Sequence, residues 1–178
     1  MRRIVMSRRH TGDAEVIVDE EVDARRATAF RGIANFPVWS SEVFPSAARE
    51  GLICDGRPFF PRPGGVRFFI FTLDPEDGAA DASPARPPGE RDLVEAEATF
   101  PGLLGAMDPS DPGMHATQTV DFGVVLEGEV GLELDGVGER RLRPGDAIVQ
   151  DGCRHRWHNR GSGPAKLAFV LLGCGGDS

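Results

Sequence analysis

Side chains that could do chemistry recur at two-residue spacing in one short stretch, where His115, Thr117, Thr119 and Asp121 alternate with Ala116, Gln118 and Val120. Successive strand side chains point to opposite faces, so an extended backbone puts all four on one face. A second set, His155, Trp157 and Asn159, follows the same parity. A histidine oriented by a carboxylate can move protons near neutral pH, since desolvation lowers its pKa and the carboxylate raises it. Two imidazoles and a carboxylate are also the donor set of a facial triad with open positions, which suits iron(II) and other first-row metals. Three uses of His115, Asp121 and His155 therefore stand side by side. They form a metal site, or a metal-free acid–base group, or hydrogen-bonded wall residues of a barrel.

Both sets need strands to hold them. Two alternating apolar runs lie between them, punctuated by the turn signals Leu134-Asp135-Gly136 and Arg143-Pro144-Gly145-Asp146. Val130, Leu132 and Leu134 share one face of a half-buried strand, and Ala147-Ile148-Val149 reads as the next. Two polar ladders flanked by apolar strands are what a β-barrel with a polar spot on its inner wall requires.

The stretch from Pro109 to Asn159 resembles the cupin family, whose motifs read G-x5-H-x-H-x3,4-E-x6-G and G-x5-P-x-G-x2-H-x3-N. His115 falls on the first histidine, Asp121 on the glutamate and Gly128 on the closing glycine. Gly145, Gly152, His155 and Asn159 match the second motif, with Gln150 where the proline stands. The resemblance implies an all-β fold, a cupin (double-stranded β-helix, jelly-roll) barrel with extra N-terminal strands that pack on the barrel or pair with a second subunit. It implies one domain over 1–178, with 1–108 as N-terminal strands and loops and 109–173 as the motif core. It also implies a divalent metal (iron, manganese, nickel or zinc) on His115, Asp121 and His155, with no organic cofactor. Two departures bear on that metal. Thr117 stands where the second metal histidine belongs, and its hydroxyl stays protonated at neutral pH. Asp121 is shorter than glutamate by one carbon–carbon bond, about 1.5 Å.

Composition sets the outer bounds. The chain has 178 residues, enough for one domain with a sizeable core. Its 23 glycines and 14 prolines favour short strands and turns over long helices. A net charge of -8 argues against a nucleic-acid footprint. Arg2, Arg3, Arg8 and Arg9 precede no apolar stretch long enough for a signal peptide, and no run approaches a membrane span. Cys54, Cys153 and Cys174 form an odd set without a Cys-x-x-Cys pair, so reduced thiols and a cytoplasmic location are expected.

Along the first half, residues 2–6 and 14–18 read as strands, and Asp19, Glu20, Glu21 and Asp23 as a solvated acidic patch. Pro37 marks a break or an edge strand. Val66–Leu73 is apolar on both faces, which predicts burial on both sides. Arg67 interrupts this strand: inward it would pair with a substrate carboxylate, outward it would reach solvent or an acid. Residues 74–90 read as an exposed loop, and Asp92–Ala98 as one or two helical turns. Phe100–Met107 is read as a core plug or a lid over the barrel mouth.

The expected function is a small-molecule enzyme acting on a small organic substrate, aromatic or carboxylic, inside the barrel. A metal-dependent oxygenase and a His/Asp dehydratase, isomerase or cyclase are both open, beside a non-catalytic ligand-binding or sensor protein. Trp157, Thr117, Thr119 and Arg67 are the expected substrate contacts, although core packing also accounts for Trp157. His158, of opposite parity, is expected to point outward, and Cys153 to be a buried thiol. The excess of doubly apolar strands predicts a two-fold homodimer.

Overall fold

The structure is a computed structural model and describes residues 1–44, 57–76 and 87–175. Ten strands and two short helices occur among these residues: β1 (Arg2–Arg8), β2 (Ala14–Glu21), β3 (Ile33–Ser41), β4 (Val66–Leu73), α1 (Glu90–Thr99), α2 (Leu103–Ala106), β5 (Thr119–Glu127), β6 (Val130–Leu134), β7 (Gly138–Leu142), β8 (Ala147–Asp151), β9 (His155–His158) and β10 (Ala165–Gly173). A five-stranded antiparallel sheet runs β3-β4-β10-β5-β8, and a three-stranded sheet runs β7-β6-β9. The fold is all-β, as the cupin resemblance implies: two antiparallel sheets share one core, with a separate β1-β2 hairpin at the N-terminus. β3 and β4 lie inside the larger sheet rather than packing onto it.

Residues paired across antiparallel strands share a face, so the register defines the inner wall. One rung reads Ser40–Arg67–Leu171–Asp121–Gln150 across all five strands. The next inward rungs carry Phe69–Phe169–Gly123–Ile148 and Phe71–Leu167–Val125. Val130 and Leu132 of β6 meet them from the smaller sheet in one apolar core. Burial of this set supplies most of the driving force, at about 25 cal/mol per Å² of apolar surface. Gly123 is required here, because a Cβ would lie 2.5 Å from the Phe169 ring.

A second cluster closes one end of the barrel. Ala96 of α1 and Leu103 of α2 pack with Ala27 and Phe100. Asp92 accepts a hydrogen bond from the Gly89 N–H at 2.7 Å, holding the first turn of α1. α1 extends beyond the one or two turns expected, and 100–107 does plug the core through Phe100 and Leu103.

Several local expectations are corrected. β4 is more deeply buried on the face of Arg67, Phe69 and Leu73; on the other, Val66 is buried but Phe68 and Ile70 are half-buried. The acidic run is exposed, as expected; Asp19, Glu20 and Glu21 end β2 and form surface ion pairs with Arg2, Arg3 and the N-terminal amine. Cys153 is exposed rather than buried, and it and Cys174 are free thiols. Cys54, and residues 77–86 of the 74–90 loop, lie outside the described residues. Pro37 sits at a register irregularity of β3, an edge strand, where its missing N–H costs no ladder bond. No helix among the described residues is long and apolar enough to cross a membrane.

Candidate active site

His115 does not lie on β5. The strand begins at Thr119, so the backbone is not extended as one ladder from His115 to Asp121. His115 instead makes isolated bridges to Met107 and to His155 at the start of β9. The His115 N–H donates to the His155 carbonyl at 3.0 Å, and the His155 N–H donates back at 2.9 Å. This closed pair brings the imidazole centroids to 4.2 Å.

Each ring is oriented by a backbone carbonyl. His115 Nδ1 lies 3.0 Å from the Gly113 oxygen, and His155 Nδ1 lies 2.9 Å from the Cys153 oxygen. A carbonyl only accepts, so Nδ1 carries the proton in both rings and Nε2 keeps its lone pair. Neither Nε2 meets a protein partner among the described residues.

The two imidazoles, Asp121, Gln150 and Trp157 line one cavity of about 120 Å³. Its walls are aromatic, built from Phe59, Phe60, Phe69, Phe71, Phe100 and Phe169, and Phe100, Leu103 and Met107 bound it on the side of the plug. Trp157 packs edge-on against His155 at 6.1 Å and against Phe169 at 5.7 Å. It is thus both core and wall. A few polar groups converging in an apolar cavity are the usual make-up of a small-molecule site.

The electrostatics follow from this apolar lining. Burial pushes the His155 imidazole down to about 4, and the neighbouring His115 adds to the effect. Burial likewise lowers His115, against the hydrogen bond to Gly113. Burial raises Asp121 to about 6, opposed by a hydrogen bond from Thr119. At neutral pH the pocket therefore holds two uncharged bases beside a carboxyl group that titrates close by.

The residues fit only part of the metal site that the family resemblance implies. Imidazoles held through Nδ1–H with Nε2 open are oriented as metal ligands usually are. However, no group of three or more His, Cys, Asp or Glu side chains among the described residues is placed to share an ion. Thr117 cannot complete one, since its hydroxyl is 2.7 Å from that of Thr119. Two imidazoles alone hold a divalent ion weakly. The triad His115, Asp121, His155 lines one cavity, but it does not converge as a ligand set.

Arg67 is corrected as a substrate contact. It faces inward on the rung of Asp121, but its guanidinium donates to Glu42 at 2.7 Å and to the carbonyls of Pro58, Ser41 and Val66. It borders a separate, smaller pocket of about 60 Å³ and is absent from the wall of the histidine cavity. Thr117 and Thr119 are absent from that wall as well. Asn159 is structural, donating to the carbonyls of Leu73 and Gly163 at 2.7 and 3.0 Å. His158 points away from the cavity, between Glu76 and Glu133. Arg154 and Arg156 also turn to acids, Asp108 and Asp135 for the first, Glu133 and Asp111 for the second.

Gln150 is the polar wall residue that the sequence reading did not place. Both of its amide atoms and Asp121 Oδ1 are buried without a hydrogen-bond partner among the described residues. Leaving such groups unpaired costs about 1–3 kcal/mol each. The signal was present in β8, where Gln150 shares parity with the buried Ile148 and stands on a family proline position.

Comparison with known proteins bears mainly on the C-terminal part of the chain. Residues 105–171 match the model of the family described as the cupin domain. Among curated relatives, the cupin-domain-containing oxidoreductase fogC of Aspergillus ruber is 34% identical over 109 residues, 54% of each chain. Oryzines biosynthesis cluster protein J of Aspergillus oryzae is 48% identical over 60 residues, 34% of this chain and 31% of its own. The cupin-domain-containing oxidoreductase virC of Hypocrea virens is 42% identical over 64 residues, 34% of this chain and 33% of its own. The matched segments thus span between about a third and about half of these relatives' length. Among solved structures, the polyketide cyclase RemF of Streptomyces resistomycificus is similar with a TM-score of 0.46 and 15% identity, covering 85% of this chain and 73% of that one.

Proposed function

We propose that this protein is a small-molecule enzyme that moves protons on a small aromatic or unsaturated substrate held in the histidine cavity. The observation that carries the reading is the bound pair of neutral imidazoles, each with a bare Nε2, beside a carboxyl group that titrates near neutral pH. One Nε2 accepts a proton from an acidic C–H or O–H of the substrate, and protonated Asp121 returns one at another atom. Such paired transfer is the chemistry of dehydration, isomerisation or cyclisation. The aromatic walls exclude water and keep the bases uncharged. The naming of relatives as members of biosynthesis clusters supports a small organic substrate.

A redox reading of the same pocket draws on relatives named as oxidoreductases. It needs a third donor beside the histidine pair, and a metal assay separates it from the acid–base reading. A homodimer is proposed alongside. Phe122, Val124, Leu126 and Val149 form an exposed apolar face on the outside of the larger sheet, and Ile4, Met6 and Val16 are exposed on the N-terminal hairpin.

The test follows solvent deuterium incorporation into small aromatic ketones with acidic C–H bonds, read by mass spectrometry. Wild type should incorporate label, whereas His155→Gln and Asp121→Asn should lose at least about a hundredfold in rate. Equal rates in the folded variants and wild type would discard the acid–base reading.

A further inference from the structure

Gln150 and Asp121 are opposed on neighbouring strands, on the inner face of the sheet, and both line the cavity. Gln150 is 4% exposed and Asp121 6%. Among the described residues, Gln150 Nε2, Gln150 Oε1 and Asp121 Oδ1 have no hydrogen-bond partner. An amide with both atoms unpaired on an aromatic wall contributes nothing to the fold that leucine would not contribute better. No lysine or arginine lines the cavity among the described residues, and Arg67, on the same rung, is committed to Glu42. A carboxylate substrate would therefore meet Asp121 with no cation to offset it.

From these observations we infer that Gln150 and Asp121 are the specificity-determining anchor of the cavity, and that the group they recognise is flat and uncharged, with a hydrogen-bond donor and an acceptor side by side, as in a lactam or a carboxamide. The Gln150 amide presents one donor and one acceptor along one edge, so a cis-amide edge satisfies both in a closed pair of hydrogen bonds. Asp121 Oδ1, on the paired strand position, accepts the second N–H where the group is a primary carboxamide. Phe71, Phe169 and Trp157 supply flat walls for the attached ring. A cavity of about 120 Å³ admits one six-membered ring. The inference deepens the proposed small-molecule site and rests on that reading.

Calorimetry on the intact chain with four probes tests it: 2-pyridone, N-methyl-2-pyridone, benzoate and toluene. Wild type should bind 2-pyridone at least about tenfold tighter than N-methyl-2-pyridone, which lacks the donor, because a site built for a hydrogen bond rejects the analogue without it. Benzoate should bind more weakly than 2-pyridone. Gln150→Leu should erase the preference for 2-pyridone, keep toluene affinity, and melt no lower than wild type. Equal binding of the two pyridones by wild type overturns the inference without needing any variant. Toluene binding with no 2-pyridone preference overturns this inference alone, whereas failure of both probes overturns the small-molecule reading with it. A crystal structure grown with 2-pyridone that shows only an ordered water on Gln150 also overturns it.

Discussion

His115 and His155 exchange both backbone hydrogen bonds and set their rings 4.2 Å apart, although forty residues separate them in the chain. The bridge holds two bases side by side in an apolar cavity, their rings tilted at 52°, where neither gains from carrying charge. The behaviour of the site with pH follows from that.

Stability should depend on pH through two opposed groups. His155 falls from an ordinary 6.5 to about 4 in the fold, so the fold prefers its neutral form. Its contribution is complete above pH 6.5 and is lost as pH falls toward 4. Asp121 rises from 3.8 to about 6, so the fold prefers its protonated form. That contribution is complete below pH 3.8 and is lost as pH rises through 6. Asp121→Asn should therefore stabilise the protein at pH 7.5 by up to about 3 kcal/mol, and by much less at pH 4. Urea unfolding at both pH values checks this, and equal gains would contradict the assignment.

Metal content follows from the missing third donor. Protein purified without chelator should carry well under one equivalent of iron, manganese, nickel or zinc per chain. Thr117→His should raise that figure by adding an imidazole at the position of the family ligand. Elemental analysis reads both. A full equivalent in wild type, lost in both His115→Ala and Asp121→Ala, would mean that Asp121 swings in to complete a triad.

Assembly should depend on the outer face of the larger sheet. Phe122 and Val149 are cross-strand neighbours there, 47% and 68% exposed. Sedimentation at micromolar concentration should give twice the 19.2 kDa chain mass for wild type. A Phe122→Glu/Val149→Glu variant should sediment as a monomer, because a stable dimer cannot bury four carboxylates on one small face. A wild-type monomer would end the proposal.

Packing behind the site is tight at Gly123. Its Cβ would stand 2.5 Å from the Phe169 ring, so Gly123→Ala should destabilise by about 1–3 kcal/mol. Shortening the ring with Phe169→Leu should relieve much of that cost in the double variant, a coupling read by thermal melts of all four proteins.

Much of this was legible in the sequence, because strand parity and turn chemistry are local. Alternation alone puts Thr119 and Asp121 on the buried face of β5, and His155 and Trp157 on one face of β9. Asp135-Gly136 marks the β6-β7 turn, and the two motif halves resemble a cupin by residue type and spacing alone. Parity misled only where the backbone left the strand, between His115 and Thr119.

Pairings between distant segments decided the rest. Whether Arg67 met a substrate or an acid depended on Glu42, twenty-five residues away and brought alongside by the β3-β4 pairing. Whether His115, Asp121 and His155 converged depended on a bridge that forms outside the regular strands. Gln150 became a wall residue only when β8 paired with β5 and left its amide with no partner among the described residues. Alternation along a strand records which face a residue takes. It carries no information about what stands opposite, because that is set by long-range register and by the volume that packing leaves open.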